Sequence, residues 1–313
     1  MFTVAVGMPV LNGAPAIRDA LDCIVNQTHR DLEIVISDND STDETAAICR
    51  EYADRDPRIR YFRQPKRLSS IENFRFCLEQ TSAPWFMWAA HDDTRSENYI
   101  ETLARGAQRH SSAALIFTDV GVISEPEARA TRRCSSMLRP PELPELLPGM
   151  TAVEKHKLLA KSPWFGLQVY GLHSRETLRT VPWSNPFWGN DHTFLHHLAA
   201  IGCFHYEPGA TFFYDACVED HRRRTVAYLS IKAIGWVSLS TASMWNAAGV
   251  SVNARYPKGL EVHRAARRAE LFLSMGTAAY GSLAGWAQAL LYELAPDNVK
   301  QLWHVYRRTV VRP

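Results

Sequence analysis

Apolar and polar residues alternate along the first 95 residues in a way that predicts strands and helices in turn. Short apolar runs predict four strands, over residues 2–8, 32–37, 59–64 and 84–90. Between them, apolar residues recur at helical spacing and predict helices over residues 15–27, 43–54 and 70–80. Ser41 or Thr42 is expected to cap the second helix. Strands and helices in strict alternation are typical of a parallel, doubly wound sheet.

The rest of the chain is predicted to be less regular. The pattern predicts a helix over 97–110, a strand over 113–123, a long irregular segment over 124–150, a helix over 151–161, a strand over 165–174, an aromatic loop over 183–188, a helix over 191–201, and strands over 203–208 and 210–216. From residue 221 onward the pattern is almost wholly helical. We therefore expect a domain boundary near residue 222.

Polar side chains follow three of the predicted strands, at the point where each strand ends. They lie in the stretches Pro9 to Asn12, Asp38 to Asp40, and Asp92 to Asp93. Ligands of parallel α/β sheets bind beyond the carboxyl ends of the strands. The pattern therefore predicts a ligand site at this edge.

The aspartates of this edge allow two interpretations each. Asp92 and Asp93 are adjacent carboxylates after a buried strand, which suits Mg²⁺ or Mn²⁺ together with a diphosphate, or else simple capping of the next helix. Asp38 could accept hydrogen bonds from a base or ribose, or could belong to an acidic surface turn. Asp191 begins an apolar-periodic helix, where it could be a general base or only an N-cap.

Composition narrows the class of protein. The chain has 313 residues, 46% of them hydrophobic and 22% charged, and a formal net charge of +2, which gives no reason to expect nucleic-acid binding. Six scattered cysteines without a C-x-x-C favour a reducing compartment, and the first residues do not resemble a signal peptide, so we expect a cytoplasmic protein. The dinucleotide, P-loop and nucleophile-elbow motifs are absent. His192 and His196 have a zinc-like spacing without the H-E-x-x-H motif.

One segment leaves the membrane question open. Residues 271–292 carry no charge and contain a G-x-x-x-G, which suits either a membrane span or a buried helix packed by small residues. Residues 222–313 could contact the inner face of the membrane peripherally, bind a lipid-linked acceptor, or bind a second subunit, and the sequence does not choose among these partners.

Two long stretches resemble the nucleotide-binding half of inverting family-two glycosyltransferases with the GT-A fold. They are "VAVGMPVLNGAPAIRDALDCIVNQTHRDLEIVISDNDSTDET" and "NFRFCLEQTSAPWFMWAAHDDT". The later "VYGLHSRETL" and "WGNDHTFLHHLAAIG" are similar to the acceptor-side strand and the base-bearing helix of the family. The resemblance implies a GT-A (Rossmann-like), mostly parallel sheet flanked by helices over residues 1–221. It divides this domain into a nucleotide-sugar half (1–95) and an acceptor half (96–221), followed by a helical C-terminal region (222–313).

The resemblance also implies roles for particular residues. Asp191 would be the catalytic base, Asp93 a metal ligand with His221 as a weaker second, and Asp38 a partner of the base. The remaining donor contacts would come from Pro9, Val10, Asn12, Arg67, Asn73, Asp92 and Arg222. We add Trp188, whose aromatic ring could form a wall for the acceptor sugar or could instead pack in the core.

The sequence departs from the family in three places. Ala90 stands where many relatives have an acid, Leu11 replaces the common aromatic residue, and the C-terminal Q-x-x-R-W of processive synthases is missing. We expect transfer of one or a few sugars from a nucleoside diphosphate sugar to a glycan or lipid-linked acceptor, in bacterial surface polysaccharide or lipopolysaccharide synthesis. The alternatives are a nucleotidyltransferase and an inactive nucleotide-sugar-binding module.

Overall fold

The structure, a computed structural model, contains nine strands and six α-helices in the part of the chain that it describes. The described residues are 2–151, 154–155, 158–159, 162, 164–181, 183 and 191–216. The strands β1 to β9 are Val4–Val10, Leu32–Asp38, Ile59–Arg63, Trp85–Trp88, Thr94–Arg95, Leu115–Ile123, Ser136–Leu138, Leu172–Ser174 and Phe204–Asp215. The helices α1 to α6 are Ile17–Val25, Thr45–Arg55, Ser70–Glu79, Tyr99–Arg109, Arg175–Leu178 and Asp191–Ile201. Two 3₁₀ helices, Pro126–Ala128 and Phe165–Tyr170, complete the list.

The first half of the sheet is parallel, as the alternation of elements predicted. Strands β3, β2, β1 and β4 lie side by side in that order, and every neighbouring pair among them is parallel. All residues of β1 are buried. Strands covered on both faces have apolar side chains throughout, which is why they appear in the sequence as continuous apolar runs.

The second half of the sheet is mixed. Strand β8 lies between β4 and β6 and is antiparallel to both. Beyond β6 come β9, parallel to it, and β5, antiparallel to β9, while β7 pairs with β6. Strands from residues 1–95 and from residues 96–221 thus belong to one α/β sheet.

Two local predictions beyond residue 120 are wrong, and a third is confirmed only in part. The expected strand over 165–174 is a 3₁₀ helix followed by the short β8, and the buried Phe165 and Gln168 lie one 3₁₀ turn apart. The two strands expected over 203–216 form the single strand β9, which bulges near Gly209 with φ at 104°. The irregular segment over 124–150 contains β7 and a 3₁₀ turn.

The cap of α2 also differs from the prediction. The Asp43 carboxylate accepts hydrogen bonds from the Thr45 N–H at 3.0 Å and the Thr45 hydroxyl at 2.5 Å, so Asp43 takes the role expected of Ser41 or Thr42. Ser41 instead accepts from the Asn12 N–H at 2.9 Å. The helix α3 begins with a capping box formed by Ser69 and Glu72.

Several predictions fall on residues outside the described part of the chain. They concern Trp188, His221, Arg222, the segment 271–292 and the helical region from 222 to 313. Among the helices that the structure does describe, none is long and apolar enough to cross a bilayer.

Candidate active site

A cavity of about 340 Å³ opens at the carboxyl ends of β1, β2 and β4. Five of the predicted site residues line it: Pro9, Val10, Arg67, Asn73 and Asp92. The remaining lining residues are Leu11, Asn39, Leu68, Ser70, Phe74, Ala90, His91 and Tyr170. The polar edge predicted from the strand ends therefore coincides with a cavity.

Asp38 and Asn12 hold together the two loops that form one wall. The Asp38 carboxylate accepts from the Ser41 N–H at 2.9 Å and from the Tyr61 hydroxyl at 2.8 Å, and the residue is fully buried. The Asn12 side-chain oxygen accepts from the Thr42 N–H at 2.9 Å. Neither residue lines the cavity. Both brace the loop that follows β2, and the expected contact of Asp38 with a base stays a prediction.

Asn39 fixes the loop that carries Arg67. Its amide oxygen accepts from the Leu68 N–H at 2.7 Å, and its amide nitrogen donates to the Leu68 carbonyl at 3.0 Å. These two hydrogen bonds join the loop after β2 to the segment that contains Arg67 and Leu68. Arg67 lines the cavity. Asn39 had no predicted role of its own, because its partner Leu68 lies 29 residues further along the chain.

Asn73 ties helix α3 to the end of β2. The Ser37 hydroxyl donates to the Asn73 amide oxygen at 2.6 Å, and the Asn73 amide nitrogen donates to the Ser37 carbonyl at 3.1 Å. Gln64 donates to the Ser37 hydroxyl at 2.9 Å. The Asn73 amide is therefore engaged within the protein, although the residue lines the cavity.

Asp93 is a buried carboxyl beside a second carboxyl. It is 3% exposed, and its Oδ1 accepts from the Asp215 N–H at 2.9 Å. Burial, and then the neighbouring charge of Asp92, raises the pKa of Asp93 to about 8. A carboxyl in these surroundings ionises readily only where positive charge compensates it.

The charges of Asp92, Asp93 and Asp191 act on the same two tyrosines. Burial, followed by the negative charges of Asp93, Asp191 and Asp92, raises the pKa of the Tyr170 phenol well above its usual range. Burial and the same three charges, with Asp215, raise the pKa of Tyr214 to about 12. Of these two tyrosines, Tyr170 lines the cavity. Asp38 is the last residue of β2.

A cluster of rings holds the helix that begins with Asp191. Phe194, one turn along α6, packs against Trp88 at 5.5 Å between ring centroids, His173 at 5.5 Å and Trp183 at 5.9 Å. Trp88 is the last residue of β4, four positions before Asp92. The first turn of α6 is thus packed against the strand that leads to the other two aspartates. The exposed carboxylate of Asp191 stands at a helix N-terminus, where negative charge is favourable.

The carboxylates of Asp92 and Asp93 fit a hard divalent cation. Mg²⁺ and Mn²⁺ prefer oxygen ligands and are usually held by one or two carboxylates with phosphate oxygens and water. A cation would also compensate the charge that burial disfavours at Asp93. Among the described residues, no group of three or more His, Cys, Asp or Glu side chains could hold a metal by itself. The remaining ligands would therefore come from the diphosphate and water.

His91 and Tyr170 are two further cavity residues for which no function was predicted. His91 precedes Asp92 and packs so closely on Gly13 that a Cβ atom there would lie 2.7 Å from the imidazole. Tyr170 ends the 3₁₀ helix that was expected to be a strand. The position of His91 directly before Asp92 and Asp93 could have indicated that His91 lies at the site. No local pattern indicates this for Tyr170.

The fold is the GT-A fold of glycosyltransferases. The structure of Staphylococcus aureus TarS residues 1–349 in complex with UDP-GlcNAc superposes with a TM-score of 0.63 and 14% identity, over 96% of this chain and 83% of that one. The mannosyltransferase PcManGT of Pyrobaculum calidifontis, in complex with GDP-Man and Mn²⁺, superposes with a TM-score of 0.57 and 15% identity, over 99% of this chain and 80% of that one. At such identities the likeness shows the fold alone.

Residues 5–153, just under half of the chain, match the family model described as glycosyl transferase family 2. Glycosyltransferase GlyA of Streptococcus pneumoniae serotype 4 is 35% identical over 101 residues, which are 32% of this chain and 14% of GlyA. The uncharacterized glycosyltransferase RT0329 of Rickettsia typhi is 32% identical over 99 residues, which are 31% of this chain and 30% of that protein. The chain thus matches less than a third of the length of either relative.

Proposed function

We propose that this protein transfers a sugar from a nucleoside diphosphate sugar to a hydroxyl group of a glycan or lipid-linked acceptor, with inversion at the anomeric carbon. The observation that supports this is the packing of Phe194, three residues after Asp191, on Trp88, four residues before Asp92, which lines the cavity at the strand ends. The charges of Asp92, Asp93 and Asp191 also act together on Tyr170 and Tyr214. The donors printed for the two superposed structures, UDP-GlcNAc and GDP-Man, are both nucleoside diphosphate sugars.

The donor lies across the strand ends in this proposal. The nucleoside occupies the side formed by Pro9, Val10 and Arg67, and the diphosphate lies toward Asp92 and Asp93. These two carboxylates would hold Mg²⁺ or Mn²⁺, and the metal, when bound, would neutralise the charge that develops on the leaving diphosphate. The metal dependence belongs to the proposal.

Asp191 acts as the base on the acceptor side. Its carboxylate accepts the proton of the acceptor hydroxyl while that oxygen forms a bond to the anomeric carbon. The bond from this carbon to the diphosphate oxygen breaks on the opposite face, and the nucleoside diphosphate leaves with the electron pair. A base in this position is typically worth about 10² to 10⁴ in rate.

To test this, the protein is incubated with a panel of UDP-, GDP- and dTDP-sugars and Mn²⁺. Release of the nucleoside diphosphate is measured with and without EDTA. We expect slow release from one donor class, suppression by EDTA, and a loss of about 10² or more in Asp191→Asn while the affinity for the donor stays near that of the wild type. Turnover of Asp191→Asn at the wild-type rate would contradict the assignment of the base. Release of pyrophosphate from a nucleoside triphosphate and a sugar phosphate would instead indicate a nucleotidyltransferase.

The cellular setting of the reaction is proposed from the relatives. The relatives in Streptococcus and Rickettsia are bacterial glycosyltransferases by their names. A role in bacterial surface polysaccharide or lipopolysaccharide synthesis, at the cytoplasmic face of the membrane, fits such an acceptor. Incubation with labelled donor and bacterial lipid extract, followed by extraction into organic solvent, would separate a lipid-linked product from a free glycan.

A further inference from the structure

Tyr170 is the residue in the cavity whose chemistry the proposed reaction does not yet use. It lines the cavity together with Asp92, and the charges of Asp92, Asp93 and Asp191 all act on its phenol. It belongs to the second half of the chain, in the 3₁₀ helix Phe165–Tyr170, whereas the other lining residues belong to the first half. Its side chain therefore lies where the two halves meet.

Tyr170 is held in place at both its backbone and its ring. Its carbonyl oxygen accepts from the Tyr99 hydroxyl at 3.0 Å, and its ring packs against Phe212 with centroids 5.0 Å apart. Tyr99 and Phe212 are 2% and 1% exposed. The next residue, Gly171, has no room for a Cβ atom, which would lie 2.5 Å from the Ile116 carbonyl oxygen. A side chain fixed in this way offers a preorganised contact to a ligand.

The phenol is suited to donating a hydrogen bond. Ionisation would place a fourth negative charge beside three carboxylates, so the hydroxyl keeps its proton. A neutral hydroxyl donor suits a sugar oxygen.

We propose that the Tyr170 hydroxyl donates a hydrogen bond to the transferred sugar of the donor, and so positions the sugar between the diphosphate and Asp191. This inference rests on the proposed function, because the order nucleoside, diphosphate, sugar and base sets which part of the donor reaches Tyr170. The nucleoside side is formed by Pro9 and Val10, while Tyr170 lines the cavity together with Asp92, on the side where the diphosphate is proposed to lie. In that order, the sugar is the part of the donor that lies between Asp191 and the pair Asp92 and Asp93.

The test compares nucleoside diphosphates with their sugar conjugates. Titration calorimetry with Mn²⁺ is carried out on the wild type, Tyr170→Phe and the control Tyr206→Phe, with UDP, GDP and dTDP and with the corresponding sugars. Tyr170→Phe retains the ring that packs on Phe212 and removes the hydroxyl alone. Tyr206 is a second partly buried tyrosine of the sheet, and its hydroxyl donates to Asp119, away from the cavity.

We expect Tyr170→Phe to bind the nucleoside diphosphate like the wild type and the nucleotide sugar roughly tenfold more weakly, the effect of one lost hydrogen bond. Tyr206→Phe should bind both like the wild type. Equal weakening of both ligands by Tyr170→Phe, or no weakening of either, would overturn the inference and leave the proposed function standing. A wild type that binds no nucleotide sugar of the panel would overturn the proposed function and this inference with it.

Discussion

Replacing Trp88 by phenylalanine tests whether the ring cluster holds the two halves of the site together. Trp88 is 2% exposed, and its indole N–H donates to the Phe74 carbonyl at 3.1 Å. Its ring packs against those of Phe74, Phe86, His173, Trp183 and Phe194, at centroid distances of 4.8 to 6.1 Å. Phe74 lines the cavity, and Phe194 lies on the helix that Asp191 begins.

The expected loss follows from these contacts. The hydrogen bond of the indole contributes about 1 kcal/mol to the free energy of unfolding. The smaller ring leaves a partly filled space, which costs about 1 to 2 kcal/mol, since complete truncation of a buried tryptophan costs about 3 to 5 kcal/mol. Trp88→Phe should therefore lower the free energy of unfolding by about 2 to 3 kcal/mol. Its turnover should fall even where the variant is fully folded, because Asp191 loses part of its support.

Trp85→Phe is the matched control, on the same strand and three residues away. Trp85 is 8% exposed and stacks on Phe2 with centroids 6.4 Å apart. We expect a loss of about 1 kcal/mol and unchanged turnover. Unfolding in urea is followed by circular dichroism, because both variants remove a fluorophore. Equal losses of stability and turnover in the two variants would refute the reasoning.

Two further predictions concern stability. Gly171→Ala should cost about 1 to 3 kcal/mol, because the added Cβ atom would lie 2.5 Å from the Ile116 carbonyl oxygen; an unchanged melting temperature would contradict this. Burial lowers the pKa of His173 from 6.5 to about 4. Between pH 6.5 and pH 4, His173 is therefore protonated in the unfolded chain and neutral in the folded chain. The free energy of unfolding is therefore unaffected by this group above pH 6.5. It falls by about 3 kcal/mol as the pH falls toward 4, at 1.36 kcal/mol per pH unit. Urea unfolding at stepped pH should show this slope, and His173→Gln should flatten it; the same slope in both would exclude His173 as the source.

The parallel half of the fold could be predicted from the sequence because its signals are local. Strands buried on both faces are continuous apolar runs, and each is followed by a helix with clear periodicity. The same rule placed Asp92 and Asp93 at a strand end and Asp191 at a helix start. These positions depend on neighbours in the sequence.

The parts that could not be predicted depend on distant partners. Asn39 bonds the backbone of Leu68, 29 residues away, and this contact holds the loop that contains Arg67. Tyr170 owes its position to Tyr99, 71 residues away, and to Phe212. Asp38 accepts from the hydroxyl of Tyr61, 23 residues further along the chain, a contact that the strand pattern does not show.

The antiparallel strand between β4 and β6 has a consequence for any attempt to produce the nucleotide-binding half alone. Trp85 and Phe86 pair with Ser174 and His173, and Arg175 donates to the Leu78 carbonyl at 3.2 Å and to the Thr81 hydroxyl at 2.6 Å. A fragment that stops near residue 95 would leave the backbone of an apolar strand bare and ready to pair with another molecule. A fragment of residues 1–95 is therefore expected to aggregate when expressed by itself, and shortened versions of this protein should retain the chain at least through β8.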